Sequence, residues 1–254
     1  MDNIQAEEKF NSVIEHKNDA VPVHQLFSSD FFVGIGIHKD LHIFELEETT
    51  CLYHSSVQLP MDVPVGTRAA FPIESLKDYC CIITPECLVE PAGYVSILHE
   101  MVHCHQGRTC ELELKNTLQI HQKAVQANDY MWELNHQFPY SNLLFRSLIE
   151  NVSGWSAADT SAILVKLKSE LSQMDYEYMI WQIWKEGFAR FTENIIRRSD
   201  SLPENVAGNN SSKPDRQSLY YVGDFIWRQL KKKDRNLVAS IGESFGIILN
   251  MMAV

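Results

Sequence analysis

His99-Glu100-Met101-Val102-His103 sets two imidazoles four positions apart, with a carboxylate beside the first. Residues i and i+4 of a helix share a face, so both rings can bind one cation while Glu100 stands within a turn of them. The chemistry such a set serves is hydrolysis, in which a cation activates water and a carboxylate takes its proton. A catalytic zinc takes three protein ligands and keeps a fourth position open, so a third ligand must come from elsewhere.

A continuation of the form H-E-x-x-H-x-x-G-x-x-H needs glycine at position 106 and histidine at position 109, where Gln106 and Thr109 stand. Glu111, Glu113, Asp129 and Glu133 follow in no distinctive context. Glu186 differs, because Trp181, Ile183, Trp184, Phe188 and Phe191 surround it in an apolar, aromatic helical run. An acid there is costly unless something compensates, and a cation does so. Gly187 and Ala189 remove bulk beside it, as a close approach of two helices requires.

The stretch Trp184-Lys185-Glu186-Gly187-Phe188-Ala189-Arg190-Phe191-Thr192-Glu193 resembles the W-x-N-E-G-F-A-x-[YF]-x-E sequence of gluzincin metallopeptidases, above all the aminopeptidase-N-like branch. The resemblance implies Glu186 as the third zinc ligand and Glu193 as the carboxylate that orients a zinc-bound histidine. Lys185 replaces the usual asparagine. Tyr220-Tyr221-Val222-Gly223 looks like the family's Y-x-K-G helix start. That implies Tyr220 as hydrogen-bond donor to the tetrahedral intermediate, with Tyr221 a neighbouring candidate and Val222 in place of lysine. The G-x-M-E-N segment that captures a free amino terminus is absent; Glu86, Glu90 and Pro91-Ala92-Gly93 do not reproduce it. His103 and Glu186 are also 83 positions apart, farther than in the aminopeptidase branch. The likeness is therefore to a gluzincin catalytic core rather than to a plain aminopeptidase.

That likeness implies one Zn2+ per chain on His99, His103 and Glu186, with Glu100 as general base and Tyr220 stabilising the oxyanion. A peptide or protein is the expected substrate. The alternative is a catalytically inactive metal-binding interaction or regulatory module of the same fold, which a fourth protein ligand from Cys104 or His105 would mark. Arg190, one turn after Glu186, suits either a substrate carboxylate or an ion pair with a neighbouring glutamate.

These residues need elements to carry them. Tyr94 to Leu98 and then Met101, Val102 and Cys104 are mostly apolar, which predicts a helix buried on most of its circumference, with Pro91 in its first turn and Gly107 at its end. Residues 3–17 predict an amphipathic helix with Ile4, Phe10, Val13 and Ile14 near one side. Runs at 31–37 and 41–46 around His38-Lys39-Asp40 predict a hairpin, followed by a turn-rich stretch with Pro60, Pro64, Gly66 and Pro72. A short strand at 79–84, stopped by Pro85, is expected to offer its edge to an extended peptide. Helical spacing then covers 111–136, 141–151, 157–173, 175–198, 219–230 and 236–249, with a polar loop or lid at 201–217. The expectation is one α+β, predominantly α domain over 1–254 with a zincin-like fold. A small β-containing lobe at 1–90 precedes a larger helical lobe at 91–254 that carries the metal site.

Composition sets limits on partners. A net charge of −11 argues against nucleic acid or an anionic membrane as the main partner. Arg228, Lys231, Lys232, Lys233 and Arg235 read as a solvated helix end. The acidic start and the lack of a long apolar run lead us to expect neither a signal peptide nor a membrane span. Six cysteines without a C-x-x-C pair read as reduced, mostly buried thiols, which suits a cytoplasmic protein. His38, His42 and His54 read as surface or turn residues, and Trp181, Trp184 and Trp227 as core. Oligomeric state is left open by the sequence.

Overall fold

The computed structural model describes residues 3–249, and the side chain of Ile4 lies outside what is described. The chain is mixed, 57% helical with one five-stranded sheet. It divides into two compact units, Met1–Thr109 with Ile195–Pro203, and Cys110–Asn194 with Glu204–Val254.

The first unit is built on the sheet. Helix α1 (Asn3–Asp19) buries Phe10, Val13 and Ile14 as its spacing requires, and Phe10 packs 5.2 Å from the Phe44 ring. Strands β1 (Phe31–Ile37) and β2 (Asp40–Leu46) form the expected hairpin, with His38 at φ 54° in the link. They are joined by β3 (Cys51–Gln58), β4 (Arg68–Ile73) and β5 (Asp78–Ile83) in the order β3-β2-β1-β5-β4. Among the described residues only β1 and β5 pair in parallel. Helix α2 (Gly93–Thr109) lies against β4 and β5, where the Cys81 thiol faces the Ile97 carbonyl at 3.9 Å. Leu41, Ile43, Cys80 and Ile82 form a cluster that Leu59, Val63 and Leu76 help to cover.

Three expectations need correction here. The 79–84 run is no sheet edge: β5 lies between β1 and β4, and the outer strand on that side is β4. Strand β4 escapes a pattern reading because it is half-exposed and holds Pro72, a residue tolerated at an edge where no N–H need be donated. Gly107 does not end α2, which continues to Thr109. Its lack of a side chain instead admits the Tyr79 ring, 2.4 Å from where a Cβ would stand. Pro91 precedes α2 rather than opening it, since the helix starts at Gly93, whose Cβ would meet the Cys87 carbonyl.

The second unit is helical: α3 (Glu111–Asn116), α4 (Gln119–Gln126), α5 (Trp132–Asn135), α6 (Leu143–Asn151), α7 (Ala157–Glu170), α8 (Gln173–Ser199), α9 (Arg216–Lys233), α10 (Arg235–Ala239) and α11 (Ile241–Leu249). The expected 111–136 helix is broken in two places. Thr117 turns its hydroxyl back on the Leu114 carbonyl, Glu177 accepts from the Ile120 N–H at 2.9 Å, and Asn128 adopts φ 55°. Capping boxes at Ser156/Asp159 and Asp215/Ser218 start α7 and α9.

Trp181, Trp184 and Trp227 are core side chains with no exposure. The indole of Trp184 donates to the Ile241 carbonyl and that of Trp227 to the Trp184 carbonyl. Helices α8 and α9 approach most closely at two glycines: a Cβ on Gly187 would stand 2.5 Å from the Gly223 Cα, and one on Gly223 2.5 Å from the Gly187 Cα. Among the described residues no helix is long and apolar enough to cross a membrane.

Candidate metal centre

Helix α2 buries Val95, Leu98, Met101 and Val102, and this apolar surface fixes where its remaining stripe points. His99 and His103 occupy that stripe with ring centroids 5.0 Å apart and planes crossed at 72°. Their Nε2 atoms face each other at 3.2 Å. On the far side of the His103 ring, Nδ1 lies 2.8 Å from Oε1 of fully buried Gln106. An amide oxygen only accepts, so Nδ1 donates its hydrogen and Nε2 presents a lone pair. Two nitrogens 3.2 Å apart and each about 2.1 Å from one ion subtend roughly 100° there, close to the tetrahedral angle of zinc sites.

Glu186 supplies the third atom. His99, His103 and Glu186 each offer one ligand atom, and these atoms all lie within 4.8 Å of one another. Neighbouring ligands of a tetrahedral ion stand ~3.3 Å apart, so the group would close by up to about 1.5 Å around a bound ion. The donor set of two neutral imidazoles and one carboxylate fits a borderline divalent cation, zinc among several. Among the described residues no fourth histidine, cysteine or acid joins the group. Cys104 is fully buried, with burial first and the neighbouring Cys80 second pushing its thiol well above the usual range. His105 packs edge-on to the His24 ring.

The rival acids have other work. Burial opposes the charge on Lys185, yet Glu133 and Glu111 outweigh it and hold the ammonium well above its ordinary pKa. Its Nζ stands 3.1 Å from Glu111 and 3.0 Å from Glu133. Two of the four acids that follow the motif, Glu111 and Glu133, therefore neutralise Lys185.

Glu100 is half-buried, and its charge contributes to the raised pKa values of Cys81, Cys87 and Cys104. Tyr220 stands on α9 one turn before the Gly187–Gly223 crossing. Burial first and the Glu186 charge second push its hydroxyl well above the ordinary range, so it remains a donor. Among the described residues that hydroxyl has no hydrogen-bond partner. Tyr221 instead packs on Phe225 at 5.1 Å.

Glu193 is buried, its Oε1 accepting from Asn205 Nδ2 at 2.9 Å and its Oε2 lying 3.3 Å from Arg190 Nε. Arg190 also donates to the carbonyls of Asn205 and Ala207. Of the two readings open for Arg190, these contacts select the ion pair. They also tie down part of the 201–217 loop: Asn205 N donates to Asn194 Oδ1 at 2.7 Å, and Arg146 reaches the Ser211 carbonyl at 2.8 Å. Gln106 was missed in the sequence reading; its one signal was an amide three positions after His103 in an otherwise apolar helix.

No family model, no curated protein and no solved structure matches the chain.

Proposed function

We propose that this protein is a zinc-dependent peptidase with a zincin-like fold, in which His99, His103 and Glu186 hold one ion. The observation that carries the reading is the convergence of these three ligand atoms, with Gln106 orienting the lone pair of His103. An ion bound there supplies a water of lowered pKa and polarises a carbonyl. Glu100 takes the water's proton on its carboxylate and delivers it to the nitrogen of the leaving amine. Tyr220 donates its hydroxyl hydrogen to the carbonyl oxygen as negative charge develops, a contribution of several kcal/mol in comparable sites. Glu193, fixed by Arg190 and Asn205, is the carboxylate assigned to orient a ligating imidazole. The outer strand β4 is the sheet edge suited to align an extended peptide, which moves that role one strand outward from β5. Six free cysteines support a reducing, cytoplasmic setting.

The test is Glu100→Gln in protein loaded with one equivalent of zinc. Metal content should match the wild type while hydrolysis of a mixed peptide pool falls at least ~100-fold, within the range removed with a general base. Unchanged turnover with metal bound refutes the role of Glu100. A wild-type protein that binds zinc and cleaves nothing supports the non-catalytic module instead.

A further inference from the structure

Several arginines have acid partners. Arg108 pairs with Asp78, Arg190 with Glu193, and Arg228 with Asp224 and Glu204. Arg216, the first residue of α9, differs from these: it is half-buried and forms no hydrogen bond or ion pair among the described residues. The nearby acids are already engaged. Asp215 caps α9 through the Ser218 N–H, Glu133 holds Lys185, and Glu186 is the carboxylate assigned to the metal. What surrounds Arg216 is aromatic and hydroxylic. Its guanidinium lies 5.9 Å from the Tyr220 ring centroid, and its charge also acts on the Tyr140 and Tyr178 hydroxyls. The Tyr178 hydroxyl is spent on the Glu133 carbonyl at 3.1 Å. A half-buried guanidinium with five donors and no acceptor is costly, and a carboxylate is the group that satisfies it in bidentate fashion.

We infer that Arg216 is the anion-reading residue of the site and takes a carboxylate carried by the substrate. This rests on the peptidase reading for the identity of the ligand as a substrate. Arg216 lies across the ring of Tyr220, the residue assigned to the scissile carbonyl, so the carboxylate it takes belongs to a part of the substrate near that bond. Two sources fit that chemistry: the α-carboxylate of a C-terminal residue, which makes the enzyme trim chain ends, or the side chain of an aspartate or glutamate. Arg190 is less suited to that role, because it already pairs with Glu193 and its Nη1 donates to two carbonyls.

The experiment measures equilibrium binding to zinc-loaded and metal-free Glu100→Gln protein, with and without Arg216→Gln. Three fluorescent probes are compared: an N-acetylated alanine hexapeptide with a free carboxylate, the same peptide amidated, and an amidated version containing one glutamate. The expected result is binding about tenfold or more tighter for one carboxylate probe than for the plain amide, with the preference lost in Arg216→Gln and partly kept in Arg216→Lys. Preference for the free acid assigns the α-carboxylate; preference for the glutamate probe assigns a side chain. Equal affinity for all three probes, no binding of any, or a preference that survives Arg216→Gln in a variant that unfolds like its parent overturns the inference. Carboxylate preference in a protein whose wild type hydrolyses nothing leaves the Arg216 site standing while the peptidase reading falls.

Discussion

One imidazole of the pair, His103, is oriented by a residue outside the motif. Gln106 holds His103 Nδ1 at 2.8 Å, so the tautomer that frees Nε2 is set before any ion arrives. Gln106→Leu keeps the volume and removes the acceptor. It should weaken zinc binding about 10- to 100-fold, as loss of such partners does elsewhere, and competition with a chelating dye would read the change. Equal affinity would show that helix geometry alone fixes the ring. At this scale the sequence was legible where spacing is chemical: His99, Glu100 and His103 stand out because i and i+4 must share a face. Glu186 stood out as an acid among aromatics. Gln106 did not, because a glutamine in a helix has many ordinary explanations and only the fold shows it buried against a ring.

Elements place Glu186 and Tyr220 through a backbone contact. Helices α8 and α9 meet at Gly187 and Gly223, where a Cβ on either would lie 2.5 Å from the other's Cα. Alanine favours a helix over glycine by ~1 kcal/mol, but crowding two backbones costs about 1–3 kcal/mol. Gly187→Ala should therefore lower stability despite its better helix propensity, and urea unfolding would measure it; a stabilised variant would mean the helices separate freely. Segment 201–217 was expected to be a polar loop or lid; 201–215 form no helix or strand, and hydrogen bonds from Arg190, Asn194 and Arg146 hold the part around Asn205, Ala207 and Ser211. The Asn205 amide should accordingly exchange slowly with deuterium, and fast exchange would restore the lid. The hairpin and α1 were legible because their apolar periods are unbroken. Strands β3 and β4 were not, since outer strands bury one side poorly and need no strict alternation. Breaks within 111–136 were equally hidden, because a carboxylate 57 positions away supplies the cap at Ile120.

For the whole molecule, buried thiols set a pH limit on stability. Burial, reinforced by Glu7 at Cys51 and by Asp78 at Cys80, pushes both thiols up to about 12; burial brings Cys87 to about 11. An unfolded chain releases those protons near 9 while the folded protein keeps them, so the folded state binds more protons as pH rises. Stability is thus fully present below about 9 and falls above it, by roughly 1.4 kcal/mol per pH unit per thiol until the folded pKa is reached. Urea midpoints at pH 7 and pH 10 should show the loss, and Cys80→Ala should make the fall shallower; a flat profile contradicts it. The mixed, mainly helical class was legible from periodicity, whereas the extent of the sheet unit was not, because α2 is assigned to it only by its packing on β4 and β5. The most direct measurement of the central claim is anomalous diffraction at the zinc absorption edge from crystals grown with equimolar zinc. One peak is predicted, about 2.0–2.2 Å from His99 Nε2, His103 Nε2 and a Glu186 carboxylate oxygen. No peak there, or a peak held by other side chains, would contradict the assignment of these three residues as the metal site.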